Sequence, residues 1–199
     1  MKALKYVIFI LVGLLVLFLL LGLLKPVVEY GHEITVDKPI NEAWAVHQDE
    51  TRLGEWLDGF QSIELLTGES GEVGSTYKVV VNPGEGQPDF EMIETINSKQ
   101  EFDHITLSFD SDMMVFDQTT TFKEAGDQTI IKTDSKVKGK GMMMRSMFAA
   151  MEMLGGSFQT QEEKNVEALK ALINDNTQDY YPEPVIEEEA AMDSTATEM

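Results

Sequence analysis

The 199-residue sequence carries 35 acidic against 15 basic side chains, a net charge of −20, and no cysteine. The missing thiols exclude disulfides, thiolate metal sites, a cysteine nucleophile and lipidation at cysteine. The acidity argues against a nucleic-acid partner, because phosphate binding needs clustered Lys and Arg.

A mean hydropathy of −0.15 averages over three unlike segments. The first, residues 1–25, contains the uncharged run Tyr6–Leu24. As a helix these nineteen residues rise about 28 Å, close to the ~30 Å hydrocarbon core of a bilayer. Lys2 and Lys5 precede the run, as they would in a signal peptide, but Leu23-Leu24-Lys25-Pro26 offers no small-x-small cleavage site. An uncleaved signal anchor is therefore expected. Two lysines before the span and Lys25 after it place the N-terminus in the cytoplasm by the positive-inside bias, and everything that follows on the extracytoplasmic side.

Residues 26–174 have the length of one domain. Val27–Val36 alternates as a strand with Val28, Tyr30, His32, Ile34 and Val36 on one face. Asp37-Lys38-Pro39 then turns into a helix at Ala43-Trp44-Ala45-Val46, with Asn41 as its expected cap. Leu53, Trp56, Leu57 and Phe60 recur at helical spacing and predict a second short helix ending at Gly59. Six strands are predicted next: Ile63–Leu66, Ser75–Val81, Phe90–Ile96, Phe102–Phe109, Met114–Phe122 and Gln128–Val137, separated by Gly- and Pro-marked turns. A helical pattern runs from Gly141 to about Ile173, with Gly155-Gly156 weakening its middle.

Residues 175–199 hold eight acidic residues, no Lys or Arg, and Pro182 and Pro184. They are expected to stay a disordered acidic tail, since they cannot bury enough apolar surface to offset ordering entropy.

One strand, two short helices, six antiparallel strands and a terminal helix, opened by VDKPINEAWAVHQDETRLGEWLDGF (Val36–Phe60) and followed by the Gly74-Ser75-Thr76-Tyr77 entry to the third strand, resemble the START-like (SRPBCC) superfamily. That superfamily includes polyketide cyclases and lipid-transfer domains. The resemblance implies an α+β helix-grip fold, a curved seven-stranded antiparallel sheet wrapped around a long C-terminal helix, here preceded by a transmembrane helix.

Such a sheet and helix cannot fill the space between them with side chains alone, so an apolar cavity is expected. Its expected lining is Trp44, Trp56, Phe60, Tyr77, Phe90, Met92, Leu107, Met114, Phe116, Met147 and Met151. Methionine suits irregular apolar shapes, and six fall between Met142 and Met153; plain core and membrane contact are the other two readings of that run.

Catalytic signals are sparse. His32, His47 and His104 are scattered, and neither HExxH nor GxSxG occurs. Gly68–Gly74 lacks the Lys of a phosphate loop, and Asp110-Ser111-Asp112 lacks the rest of a calcium loop. No metal and no cofactor is expected. Were the cavity to catalyse proton transfer, Glu94, His104, Asp117 and Tyr77 would be the candidates, Glu94 because alternation puts it on the face of Phe90 and Met92. Five cations between Lys132 and Arg145 read as a solvated face balancing nearby acids, or as a contact for anionic headgroups. The preferred function is a membrane-tethered domain that binds or carries a small apolar, lipid-like ligand without catalysis. The alternatives are a cyclase/aromatase-like enzyme and an acidic interaction protein.

Overall fold

The computed structural model describes residues 2–82, 84 and 86–182. Helix α1, Lys2–Leu24, is apolar on every side and mostly exposed, and it is long and apolar enough to cross a membrane. Only three residues separate it from β1 (Val28–Val36), so strand and helix end lie within about 14 Å, four Cα–Cα steps, of each other.

Helix α2 (Ile40–Gln48), a 3₁₀ turn (Glu50–Arg52) and helix α3 (Leu53–Trp56) follow. Asn41 does not cap α2: the N-cap is Pro39, without a side-chain hydrogen bond, and Asn41 falls inside the first turn. Proline's fixed φ of about −65° and lack of an N–H suit the start of a helix. The capping side chain works at the far end of α2, at the start of the 3₁₀ turn, where Asp49 accepts from the backbone N–H of Thr51 at 3.0 Å. Phe60 belongs not to a helix but to the first residue of β2, because α3 is only one turn long.

Strands β2 (Phe60–Thr67), β3 (Thr76–Val81), β4 (Phe90–Gln100), β5 (His104–Asp110), β6 (Met114–Ala125) and β7 (Gln128–Gly139) complete an antiparallel sheet in the order β1-β7-β6-β5-β4-β3-β2. Strands β2 to β6 each pair with the next in sequence, and β1 closes on β7 from Val28↔Val137 to Val36↔Thr129. Register shifts at Phe60/Ser62, Leu65/Thr67 and Ile96/Ser98 mark bulges, which bend strands and add curvature.

The long terminal helix is in fact two helices, α4 (Gly141–Gly155) and α5 (Ser157–Asn174). Gly156 sits at φ 58°, ψ 44°, the left-handed region that ends a helix, and glycine adopts it without the Cβ penalty. Helix α5 buries Glu162, Val166, Leu169 and Ile173, one stripe at helical spacing, against a core of Ile34, Val36, Trp44, Val46, Val79, Ile96, Phe122 and Ile131. A smaller cluster beneath α4 joins Val28, Val137 and Phe148 to Tyr30, Met114, Phe116, Met144 and Phe158.

The chain after α5 first folds back. Asn176 is buried, accepting from Arg52 Nη1 at 3.0 Å and donating to Glu42 at 3.0 Å, and the Tyr180 hydroxyl donates to Asp49 Oδ2 at 2.8 Å. The rest of the expected tail, residues 183–199, lies outside the described residues.

Candidate functional site

Strand alternation points Phe60, Ile63, Val79, Val81, Met92, Leu107, Phe109 and Phe116 toward α5, and these side chains leave a cavity of about 320 Å³ between sheet and helix. Phe158, Val166 and Leu169 form its α5 wall, and Trp56 and Leu57 its α3 edge. Of the residues expected on the lining, Trp56, Phe60, Met92, Leu107, Met114 and Phe116 are there, together with Glu94.

The others lie elsewhere, for specific reasons. Trp44 is buried in the core between α2 and the sheet, edge-on to Phe122 at 5.0 Å and Phe102 at 6.2 Å. Tyr77 is also buried, its hydroxyl oxygen accepting from Gly71 N at 2.6 Å and so pinning the glycine-rich turn instead of facing the cavity. Phe90 starts β4 and is not on the wall. Met147 and Met151 are exposed on α4, which the break at Gly156 carries away from the cavity.

Two of the proton-transfer candidates face outward. Asp117 alternates with the inward Phe116 and Gln118 and is exposed opposite Lys136. His104 precedes the inward Ile105 and pairs with Asp103 at 2.6 Å and Ser98 at 3.2 Å. The lysines of the basic run on β7 also face outward, where Lys132 pairs with Asp134 at 2.7 Å and Lys136 with Glu29 at 2.9 Å, and just past the strand Lys140 pairs with Asp110. Asp110 is therefore an ion-pair partner, and among the described residues no group of three His, Asp or Glu gathers to hold a metal ion.

Polar groups interrupt the apolar wall in two places. On the β4 side, Glu94 lines the cavity with His47, Gln48, Glu50 and Lys99. Burial, reinforced by the charge of Glu50, pushes the Glu94 carboxyl up to about 7. His47 is lowered to about 4, first by burial and then by Lys99, so its imidazole stays neutral at pH 7. Gln48 Nε2 lies 2.8 Å from His47 Nδ1; an amide nitrogen only donates, which leaves the ring proton on Nε2. Beside His47, with ring centroids 5.8 Å apart, the Trp56 indole N–H is buried without a hydrogen-bond partner among the described residues.

On the opposite side, Glu162 accepts from Gln118 Nε2 at 3.1 and 3.3 Å. Burial nevertheless raises its pKa above the ordinary carboxyl value, against the opposing effects of Thr133, His32 and Gln118. Tyr30 stacks between Phe116 and Phe158, and burial and then Glu162 and Glu152 raise its hydroxyl. His47, Lys99, Gln118, Tyr30 and Glu162 were not among the expected site residues, although two carried a signal. His47 follows Trp44 by three positions on α2, and Glu162 occupies the same helical stripe as Phe158 and Val166.

The outer edge is fastened by Asp58. Its backbone N–H donates to Asn165 at 3.1 Å, and its carboxylate accepts from Lys164 at 2.8 Å and Gln161 at 3.3 Å, tying the α3–β2 corner to α5.

No family model matches the sequence, and neither does any curated protein. Solved structures do. A protein from Thermus thermophilus superposes with a TM-score of 0.59 at 14% identity, covering 73% of this chain and 97% of that one. A conserved protein from Geobacillus kaustophilus gives 0.58 at 15% identity over 73% and 95% of the two chains. The chain has the START-like, helix-grip fold. A third START-like neighbour is norcoclaurine synthase from Thalictrum flavum, solved in complex with dopamine and hydroxybenzaldehyde, with a TM-score of 0.55 at 17% identity over 77% and 90%. At these identities the likeness extends to the START-like fold and no further.

Proposed function

We propose that this chain is a membrane-anchored START-like domain that binds a small, mostly apolar molecule between its sheet and α5. The observation that carries the proposal is the cavity: about 320 Å³, walled by aromatic and aliphatic side chains, with a few polar groups at two places. That combination is the general form of small-molecule sites, which run from about 300 to 1,000 Å³. The Trp56 N–H, unpartnered among the described residues, and the Glu94 carboxyl, pushed by burial toward its neutral form, supply donors that orient a ligand bearing an acceptor such as a hydroxyl or carbonyl. A START-like neighbour that holds two small aromatic molecules supports the same use of the fold.

In this reading α1 is the membrane span, with Lys2 and Lys5 on the cytoplasmic side and the START-like domain outside. The test is binding of a fluorescent polyene fatty acid by the full chain held in amphipol, read as energy transfer from the two tryptophans. Leu107→Trp, which fills the cavity, removes the transfer while circular dichroism stays native. Transfer that survives in a folded Leu107→Trp protein would place the ligand elsewhere.

One observation favours a second reading, an enzyme of the cyclase/aromatase type. A carboxyl with a pKa near 7 in an apolar cavity, with a neutral imidazole and a lysine on the same side, is suited to move a proton on a bound substrate. In that case Glu94→Gln abolishes turnover and leaves binding intact; loss of both together would count against it.

A further inference from the structure

Helix α4 has an unusual surface. Its exposed residues are Met142, Met143, Met147, Met151, Met153 and Leu154, plus its terminal glycines. Its two charged side chains turn back onto the protein: Arg145 Nε donates to the Gly139 carbonyl at 3.2 Å, and Glu152 accepts from the Phe158 N–H at 3.3 Å. Both are half-buried, so every fully exposed position of α4 is uncharged, and a patch of this kind on a protein surface marks a contact with an apolar partner.

The position of α4 identifies that partner. The helix packs along the last turns of α1: Ser146 Oγ lies 3.4 Å from the Leu19 carbonyl, and a Cβ at Gly22 would run into the Ser146 backbone. Phe18, Leu19, Leu21 and Gly22 are the covered positions of α1, whereas Leu4 to Leu17 are exposed. Close approach through a glycine and a serine is how helices pack inside membranes. Leu19 is five residues before the end of α1, about 8 Å along the axis. If α1 is immersed to its end, the middle of α4 lies at hydrocarbon depth as well.

We propose that α4 is a second membrane element, lying in the leaflet nearest the domain with its methionine face among the acyl chains. This rests on the reading of α1 as a span and goes beyond it. The domain is not suspended on a stalk but seated in the bilayer by two helices. Phe148 of α4 packs edge-on against Phe158 at 5.2 Å, and Phe158 lines the cavity. Helix α4 and the edge-on rings of Phe148 and Phe158 therefore stand between the lipid and the proposed ligand site.

The absence of cysteine from the sequence makes the test direct. Single cysteines replace Met151 and Leu154 on α4, Val12 in the middle of α1, and Glu64 on the exposed face of β2. Each variant of the full chain carries an NBD label and is reconstituted in vesicles of phosphatidylcholine and phosphatidylglycerol, with tryptophan emission confirming the fold. At Met151 and Leu154 the expected result is strong quenching by doxyl-labelled lipids and a several-fold loss of iodide quenching relative to Glu64, as at Val12. Iodide quenching at Met151 and Leu154 equal to that at Glu64, with Val12 protected, overturns the proposal and leaves the anchor standing. Iodide access at Val12 as well overturns both. Protection of the α4 labels from iodide and doxyl lipid together means that protein, such as a second copy of this chain, covers α4, and that also overturns it.

Discussion

Replacing Glu94 by Gln removes an ionisable group of the cavity whose pKa lies near neutrality, and its effect on stability has a definite sign. The native carboxyl titrates near 7 and an unburied one near 4.5. That interval corresponds to a preference for the neutral form of roughly 3 kcal/mol at about 1.4 kcal/mol per pH unit, reduced to about 2–3 because the side chain is partly solvated. Between these two pH values the native state binds the extra proton, so the wild type loses stability as pH rises from about 5 to 8. Glutamine matches the neutral acid in shape and does not ionise. Glu94→Gln and wild type are therefore expected to be about equally stable at pH 5, and the variant about 2–3 kcal/mol more stable at pH 9. Urea unfolding of the full chain in micelles, followed by Trp44 and Trp56, reads only the domain because α1 has no tryptophan. A stability difference that stays constant from pH 5 to pH 9 would refute the placement of Glu94 in a low-polarity cavity.

His47 gives the opposite slope. Its imidazole titrates near 4 in the fold and near 6.5 when unfolded. Wild-type stability therefore falls as pH drops from 6.5 toward 4, and His47→Gln flattens that limb of the urea series. Gln118→Leu removes the donor to the buried Glu162 carboxyl group and is expected to cost about 1–3 kcal/mol, by thermal or urea unfolding. Gly156→Ala places a Cβ in a left-handed conformation and lowers stability by about 1 kcal/mol. Asp58→Ala removes the carboxylate ties to Lys164 and Gln161, leaves the backbone bond to Asn165, and is expected to speed ligand exchange, measured by stopped-flow displacement of the polyene probe, with little change in the unfolding midpoint.

The strands were the most legible part of the sequence. β7 alternates strictly, with Lys132, Asp134, Lys136 and Lys138 outward and Ile131, Thr133, Ser135 and Val137 inward, and this period survives into the structure residue by residue. The same rule, applied with the inward Phe116 and Ile105 as references, already turns Asp117 and His104 outward. Side-chain chemistry alone recommends those two as proton-transfer groups, and the face they occupy does not. Glu94 satisfies both criteria and lines the cavity.

The misread positions are those where tertiary packing overrides a local pattern. Trp44 and Tyr77 are as aromatic as Trp56 and Phe60, and no local feature shows that the α2 contact covers Trp44 or that the glycine turn closes over the Tyr77 hydroxyl. Six methionines on one helix suited a cavity wall as well as any apolar surface. Which surface they meet depends on how fully the chain breaks at Gly156 and on the docking of α4 against α1, and the second of these is non-local. The polar positions of the cavity come from β4, β6, α2 and α5, far apart in the chain, and only the closed sheet brings them to one space.

Native mass spectrometry of the full chain, released from its own membranes in mild detergent, tests the central claim most directly. The expected spectrum shows the protein with one tightly held apolar molecule, a mass increment that disappears in Leu107→Trp and persists in Gly156→Ala. Only the bare protein mass from wild type, or an increment equally present in Leu107→Trp, would contradict a ligand bound between the sheet and α5.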